Sequence, residues 1–371
     1  MTPHETSPAS LFWSRCSAVK GCTGRAVEPS GGCPAHLSPR EFERFMDALR
    51  PGTEVDLRGV TVPSWLLDAV LNAVTGPDGR PHLGRTRFDG AVLPAGATLA
   101  GCCVEGDSSF DGACLLGPAT FHDARFFGNA SFRGVRFGRD VSFRRARFHR
   151  HTSFEEAVFT GDARFGEAAW HADASFRHAA FMGPASFDRA AFGRDAALQA
   201  ASFGAAASFE CVQVARHARF ERAKFRGGLW LGPLVAGGRI GLADTVVHGG
   251  LYVHAAALHV TVRGTVVHGD AEFGLRYADL DLEDAVFGGA ASVRALPEPF
   301  PELTEPAWDG APGVRLTSLL RTDAVLLHLN GVDLGECTPG LRRPDALRIA
   351  GERRPAAVPK RSWLRRATGR R

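Results

Sequence analysis

Between residues 130 and 154 the chain reads ASFRGVRFGRDVSFRRARFHRHTSF, placing Phe132, Phe137, Phe143, Phe148 and Phe154 at gaps of five, six, five and six. The register runs in both directions, from Phe88 to Phe225, with Leu115, Trp170, Leu198 and Val214 filling the same slot, so the unit is eleven residues in two unequal halves. Two places before each ring stands a small or β-branched residue, as at Ala119, Ala124, Ala130, Val135, Val141, Ala146 and Thr152. Positions i−2 and i share one face of an extended strand, so each half-unit is a short strand that points a small residue and a ring inward. A helix of eleven-residue period does not fit. At 100° per residue Phe121 and Phe126 stand roughly 140° apart, and Gly128, Gly134, Gly138, Gly161 and Gly166 each cost about 1 kcal/mol against Ala. Short strands joined by turns describe a solenoid instead, in which each coil buries its face by stacking on the next. Composition agrees: 26 Phe against 2 Tyr and 3 Met is one aromatic used repeatedly in one kind of position.

The stretches ASFRGVRFGRDVSF and ADASFRHAAFMGPASF resemble the pentapeptide-repeat family, in the variant where xAxFx units alternate with units one residue longer. The resemblance covers about 85–295. It implies an all-β solenoid, a right-handed quadrilateral β-helix with the ring at the centre of each side, so that four sides make a coil of about 22 residues. Counting inward positions from Phe88 to Val293 gives about ten coils and a rod of about 48 Å at the ~4.8 Å strand spacing. After Phe225 the beat holds only if two gaps shrink to four, so the coil is expected to narrow. Some members of the family mimic DNA and protect DNA gyrase and its type II topoisomerase relatives from quinolone-like poisons. That mimicry needs an acidic rod, whereas 85–295 carries 23 Lys/Arg and 22 Asp/Glu.

The flanks divide into further parts. Residues 1–40 hold a Cys/His module, and 41–84 read as a helical cap that begins with strand-like units at Val55/Leu57 and Val60/Val62. The cap continues with helical spacing at Trp65, Leu66, Ala69, Val70 and Val74, which suits covering an open solenoid end. Residues 296–313, with five prolines, read as a linker; 314–350 return to the beat at Leu329 and Leu334 as a short repeat-like segment separated from the rod. Residues 351–371 are a basic tail, read as a solvated, disordered end or as a handle for nucleic acid, anionic lipid or an acidic partner. Eleven Lys/Arg against two acids in 342–371 make the net charge of +4 a property of that end. This order of parts resembles large pentapeptide-repeat proteins of actinobacteria, whose chains continue past the basic stretch, while this one stops at Arg371. No basic segment followed by an apolar run opens the chain and no run approaches a membrane span, which predicts a cytoplasmic protein with reduced cysteines.

The strongest candidate site is Cys16, Cys22, Cys33 and His36, spaced C-x5-C-x10-C-x2-H. Three thiolates and an imidazole suit a closed, structural tetrahedral Zn²⁺, with Gly21, Gly24, Gly31, Gly32 and Pro34 supplying tight turns; free buried thiols are the alternative. Ser38, Pro39 and Glu41 then announce a helix start. An arginine-rich window holds Arg125, Arg133, Arg136, Arg139, Arg144, Arg145, Arg147 and Arg150 against Asp123 and Asp140, with Arg125 and Arg147 expected to stack in successive coils. It is a solvated face or an interaction patch for nucleic acid or a partner. Outward Thr120, Ser131, Ser142, Ser153, Ser175, Ser186 and Ser208 form hydroxyl ladders, interrupted by Arg164, Ala197 and Arg219, and His248 is expected to stack over His268. No phosphate-binding Gly-rich loop, G-x-S-x-G or H-E-x-x-H is present. The reading is a non-enzymatic scaffold displaying a rigid surface to a macromolecule, foremost a protein. The alternatives are gyrase protection by DNA mimicry and nucleic-acid binding through the arginine coils and tail.

Overall fold

The computed structural model describes residues 13–350; the basic tail at 351–371 lies outside the described residues. Strands of two residues recur with the phenylalanine beat, each paired in parallel with the strand one coil away. Arg125–Phe126 lies against Arg147–Phe148, Ala130–Ser131 against Thr152–Ser153, Arg136–Phe137 against Val158–Phe159, and Val141–Ser142 against Ala163–Arg164. The 22-residue offset in every case means that four strands complete one coil. We call first the side holding Ala130–Ser131, and then, in chain order, second (Arg136–Phe137), third (Val141–Ser142) and fourth (Arg147–Phe148). The first side stacks 13 strands from Val55–Asp56 to Val332–Asp333, about 12 turns where the beat predicted ten. The additional coils come from both flanks, which the phenylalanine register does not mark.

The unequal halves of the repeat are two kinds of corner. Five-residue corners close with an i to i+3 backbone bond, Ala124 N–H to Phe121 O at 3.1 Å and Ala146 N–H to Phe143 O at 3.0 Å. One residue in each takes the left-handed conformation, as do Asp123, Arg145, Glu156 and Glu167 at φ of 56° to 59°. Six-residue corners bend more widely without this turn. Inside, Phe121, Phe143, Phe165 and Phe187 stack with centroids 4.6, 5.2 and 4.8 Å apart, and rings of adjacent sides meet edge to face, as Phe121 and Phe132 do at 5.7 Å and 87°. Both arrangements suit the ring quadrupole, and the core is one continuous apolar column. Beyond Phe225 Leu and Val replace most rings, and the offset falls to 20, as in Leu251↔Ala271 and Val266↔Val286, so the coil narrows as expected. In the narrow part Thr245, Thr265 and Thr322 occupy inward slots; their hydroxyls donate to the carbonyls of Phe220, Leu242 and Leu282 at 3.0, 2.6 and 2.7 Å.

At the N-terminal end, α1 (Pro39–Asp47) starts where Glu41 accepts from the Ser38 backbone N–H at 2.9 Å. Helix α2 (Ser64–Ala73) buries Leu66, Leu67, Val70 and Leu71 over the first coil. Trp65, expected on the buried stripe, is 51% exposed and meets the Phe42 ring instead at 5.3 Å.

The C-terminal end corrects the expected linker. Residues 314–350 are not separated from the rod: Val314–Ser318 pairs with Asp279–Asp281, Asp323–Asn330 with Val286–Ala295, and Leu347–Ala350 with Leu327–Asn330. The proline-rich stretch 296–313 is an excursion from one corner that packs back over the fourth side. Glu305 accepts two bonds from the Arg276 guanidinium at 2.6 and 3.0 Å, and Trp308 lies 4.9 Å from Tyr277. Thr304 O accepts from Gln213 at 3.1 Å, Trp308 Nε1 donates to Gly237 O at 3.3 Å, and Glu302 pairs with Arg189 at 2.8 Å. Prolines keep it extended, and its acids fasten it. No described helix is long and apolar enough to cross a membrane.

Candidate metal centre and rod faces

The N-terminal module is held by turns. Cys16 N–H bonds Gly24 O at 2.7 Å and His36 N–H bonds Cys33 O at 2.7 Å, which folds three distant cysteines onto one histidine. Cys22 Sγ lies 3.8 Å from Cys33 Sγ, and His36 Nδ1 lies 3.6 Å from Cys16 Sγ and 3.4 Å from Cys33 Sγ. All four ligand atoms fall within 4.8 Å of one another. A tetrahedron with Zn–S of about 2.3 Å and Zn–N of about 2.0 Å has edges of roughly 3.8 Å between sulfurs and 3.5 Å from sulfur to nitrogen. The donor set therefore fits a tetrahedral metal in both chemistry and size, and can hold one. Gly24 N–H points at Cys22 Sγ at 3.4 Å.

Cys16 and Cys33 are shifted in opposite directions. Burial opposes ionisation of Cys16, but backbone N–H groups, that of Cys33 foremost, and the His36 ring outweigh it and bring Cys16 down to about 6. Burial dominates at Cys33, and with the neighbouring Cys22 and Cys16 pushes it up to about 12. A divalent cation at the centre is what stabilises several thiolates together.

The module is built onto the rod. Thr23 Oγ1 donates to Gly59 O at 2.7 Å, Arg25 N–H to Arg58 O at 2.8 Å, and Arg25 pairs with Asp56 at 3.2 Å. The Arg58 guanidinium lies over Trp13 at 5.1 Å. Gly59 has φ +62°, and a Cβ there would stand 2.4 Å from Thr23 O, so no other residue allows this approach.

The arginine window does not form one patch. Arg125 and Arg147 are in register on the fourth side, as expected, but Arg136 is on the second side. Arg133 and Arg144 pair with Glu156 and Glu167 of the following coil at 3.0 and 2.6 Å, and Arg145 pairs with Asp123 at 2.9 Å. A net charge counted along the window does not show this, because each counter-charge lies one coil away. Arg125, Arg136, Arg139, Arg147 and Arg150 have no carboxylate within 4.0 Å among the described residues.

The hydroxyl ladders are not free either. Ser131, Ser175 and Ser208 donate to Asp111, Glu155 and Asp188 of the preceding coil, Ser175 at 2.7 Å. Ser175, expected to be exposed, is buried. His248 and His268 do stack, at 5.0 Å and 1°. The sequence reading missed a second ring stack, at a corner of the fourth side: Phe127, His149 and His171, with centroids 4.7 and 4.8 Å apart. The same 22-residue offset marks it in the sequence, but Phe127 is outside the inward register. Two open hollows of about 330 and 410 Å³ lie along the third side, lined by Pro118, Asp140 and Arg164 in one and by Arg144, Glu167 and Arg189 in the other.

Fold and module together define a parallel-strand β-solenoid with a Cys3His knuckle at its N-terminal end. A family model described as pentapeptide repeats (9 copies) matches residues 115–158 and 154–202, in the regular part of the rod. The regular part of the rod, residues 115–202, thus carries pentapeptide repeats. Among solved structures it is similar to HetL, a pentapeptide-repeat protein involved in heterocyst differentiation regulation from the cyanobacterium Nostoc, with 15% identity over 84% of this chain and 99% of that one. The TM-score of 0.24 is too low for that likeness to carry an argument. No curated protein sequence gives a significant match.

Proposed function

We propose that this protein is a non-enzymatic, cytoplasmic scaffold whose rigid rod presents its faces to another protein, with a structural zinc ion closing the N-terminal module. The observation that carries the reading is the continuous core of stacked rings from Phe88 to Phe225. Such a core fills the inward positions with apolar side chains and leaves the polar and charged residues in ordered outward rows, which suits recognition by a surface. Chemical cross-linking and capture from the native host, with the intact chain as bait, is expected to retain a protein partner in stoichiometric amount. Recovery of nucleic acid alone, with a matching electrophoretic shift on DNA, overturns the reading in favour of nucleic-acid binding. Relief of quinolone inhibition in a gyrase supercoiling assay overturns it in favour of topoisomerase protection. The near balance of 23 Lys/Arg and 22 Asp/Glu in 85–295 argues against a DNA mimic.

A further inference from the structure

The outward row of the fourth side is continuous: Arg125, Arg147, Ala169, Ala191, Gln213, Val235, Ala256 and Arg276 follow one another through the paired strands. Its far end already holds a ligand, the chain's own excursion. Arg276 takes the Glu305 carboxylate, and the adjacent Tyr277 ring takes Trp308. The near end repeats this chemistry with nothing over it among the described residues. Arg125 and Arg147 are exposed without a carboxylate partner among the described residues, and two places after each stand the outward rings of Phe127 and His149. Phe127 is 42% exposed. We propose that the uncovered stretch of this row binds an extended, acidic, proline- and aromatic-containing segment of a partner protein, in line with the chain's own excursion. This inference rests on the scaffold reading and assigns that reading a face.

Charge and ring geometry favour a peptide over nucleic acid. The rings of Phe127, His149 and His171 cover one another's inner faces at 4.7 and 4.8 Å, so the row offers mainly edges to a packed side chain and leaves only the two terminal faces for a base to stack on. Burial, with His171, Arg147 and Arg125 nearby, lowers the His149 pKa and keeps that ring neutral, a surface suited to proline and aromatic carbons. Carboxylates of the partner supply the charge that Arg125 and Arg147 lack, as Glu305 does for Arg276.

The test is fluorescence anisotropy with the intact chain and a labelled synthetic peptide, PEPFPELTEPAWD, the sequence of residues 297–309. Saturable binding below about 1 mM, weakened at least tenfold by Arg125→Glu/Arg147→Glu and by Glu→Gln replacement in the peptide, supports the proposal. Arg125→Gln/Arg147→Gln, which adds no repulsion, is expected to weaken binding in the same direction. Absence of binding, binding indifferent to these substitutions, or tighter binding of a single-stranded oligonucleotide lost in the same variants overturns it. An unchanged denaturation midpoint shows that the variants are folded. Failure here leaves the scaffold reading standing, because partner capture reads every face and the peptide reads one.

Discussion

Phe165 and Ser175 stand ten residues apart, and each is closed off from solvent for a different reason. Phe165 touches rings above, below and beside it, so Phe165→Ala is expected to cost about 3 to 5 kcal/mol by lost transfer and cavity. Ser175 is outward in register yet buried under its bond to Glu155, and Ser175→Ala is expected to cost about 1 to 2 kcal/mol by leaving a carboxylate short of a donor. Chemical denaturation of the two variants checks the order; a neutral Ser175→Ala would show that solvent replaces the bond. His82 carries a pH signature. Bonds to Glu105 and Asp78 raise its pKa, so the stability it contributes is full below the unfolded value of about 6.5 and is lost as pH rises through the higher folded value. Solvent screening keeps this to no more than about 1 kcal/mol. The fall in midpoint between mildly acidic and mildly alkaline pH is expected to disappear in His82→Gln.

The turns and the excursion have separate energetics. Ala200 holds φ 56° at a five-residue corner, in a conformation that penalises a Cβ. Ala200→Gly removes the penalty against a smaller entropic loss, so it is expected to stabilise the protein by about 0.5 to 1 kcal/mol. The same change at neighbouring Ala201, an inward residue, removes core contacts and is expected to destabilise; denaturation midpoints of both variants read the difference. The excursion depends on one buried ion pair, since the Arg276 and Glu305 side chains are 4% and 11% exposed. Glu305→Ala strands the guanidinium, at a cost of about 3 to 5 kcal/mol. Hydrogen exchange is expected to rise across 296–313 while the rod core keeps its protection.

Stability in a solenoid is a sum of coils and the contacts between them, so its ends carry particular weight. The metal module, α2 and the first coil form one N-terminal end, joined through Thr23, Arg25 and Arg58. Purified protein is expected to contain one zinc equivalent. Chelation is expected to unfold the module while the β-sheet signal of the rod persists, because a short knuckle has too little core to fold without metal. Cys22→Ser is expected to abolish the metal content and Cys211→Ser to retain it, since Cys211 lies on the rod beside Glu302. Elemental analysis with circular dichroism decides; a metal-free protein with an ordered N-terminus leaves the thiols as ordinary core residues.

The solenoid was legible in the chain because each coil is specified locally: a ring, a small residue two places before it, and a corner, repeated at fixed intervals. The Cys16, Cys22, Cys33 and His36 set was legible as well, since metal-ligand types close in sequence need only turns to converge. Pairing between coils was not legible from composition. Glu156 and Glu167 reach back to Arg133 and Arg144, and Ser175 is covered by Glu155, through neighbours about one coil distant that a local window does not contain. The proline-rich stretch was hardest to read. Its sequence says extended and polar, which describes a linker equally well; the Arg276 that fastens it is separated from Glu305 by 29 residues and faces outward because it continues the outward row of the fourth side. Long-range placement of one charge decides between a free connection and a bound strap, and that placement exists only after the rod has formed.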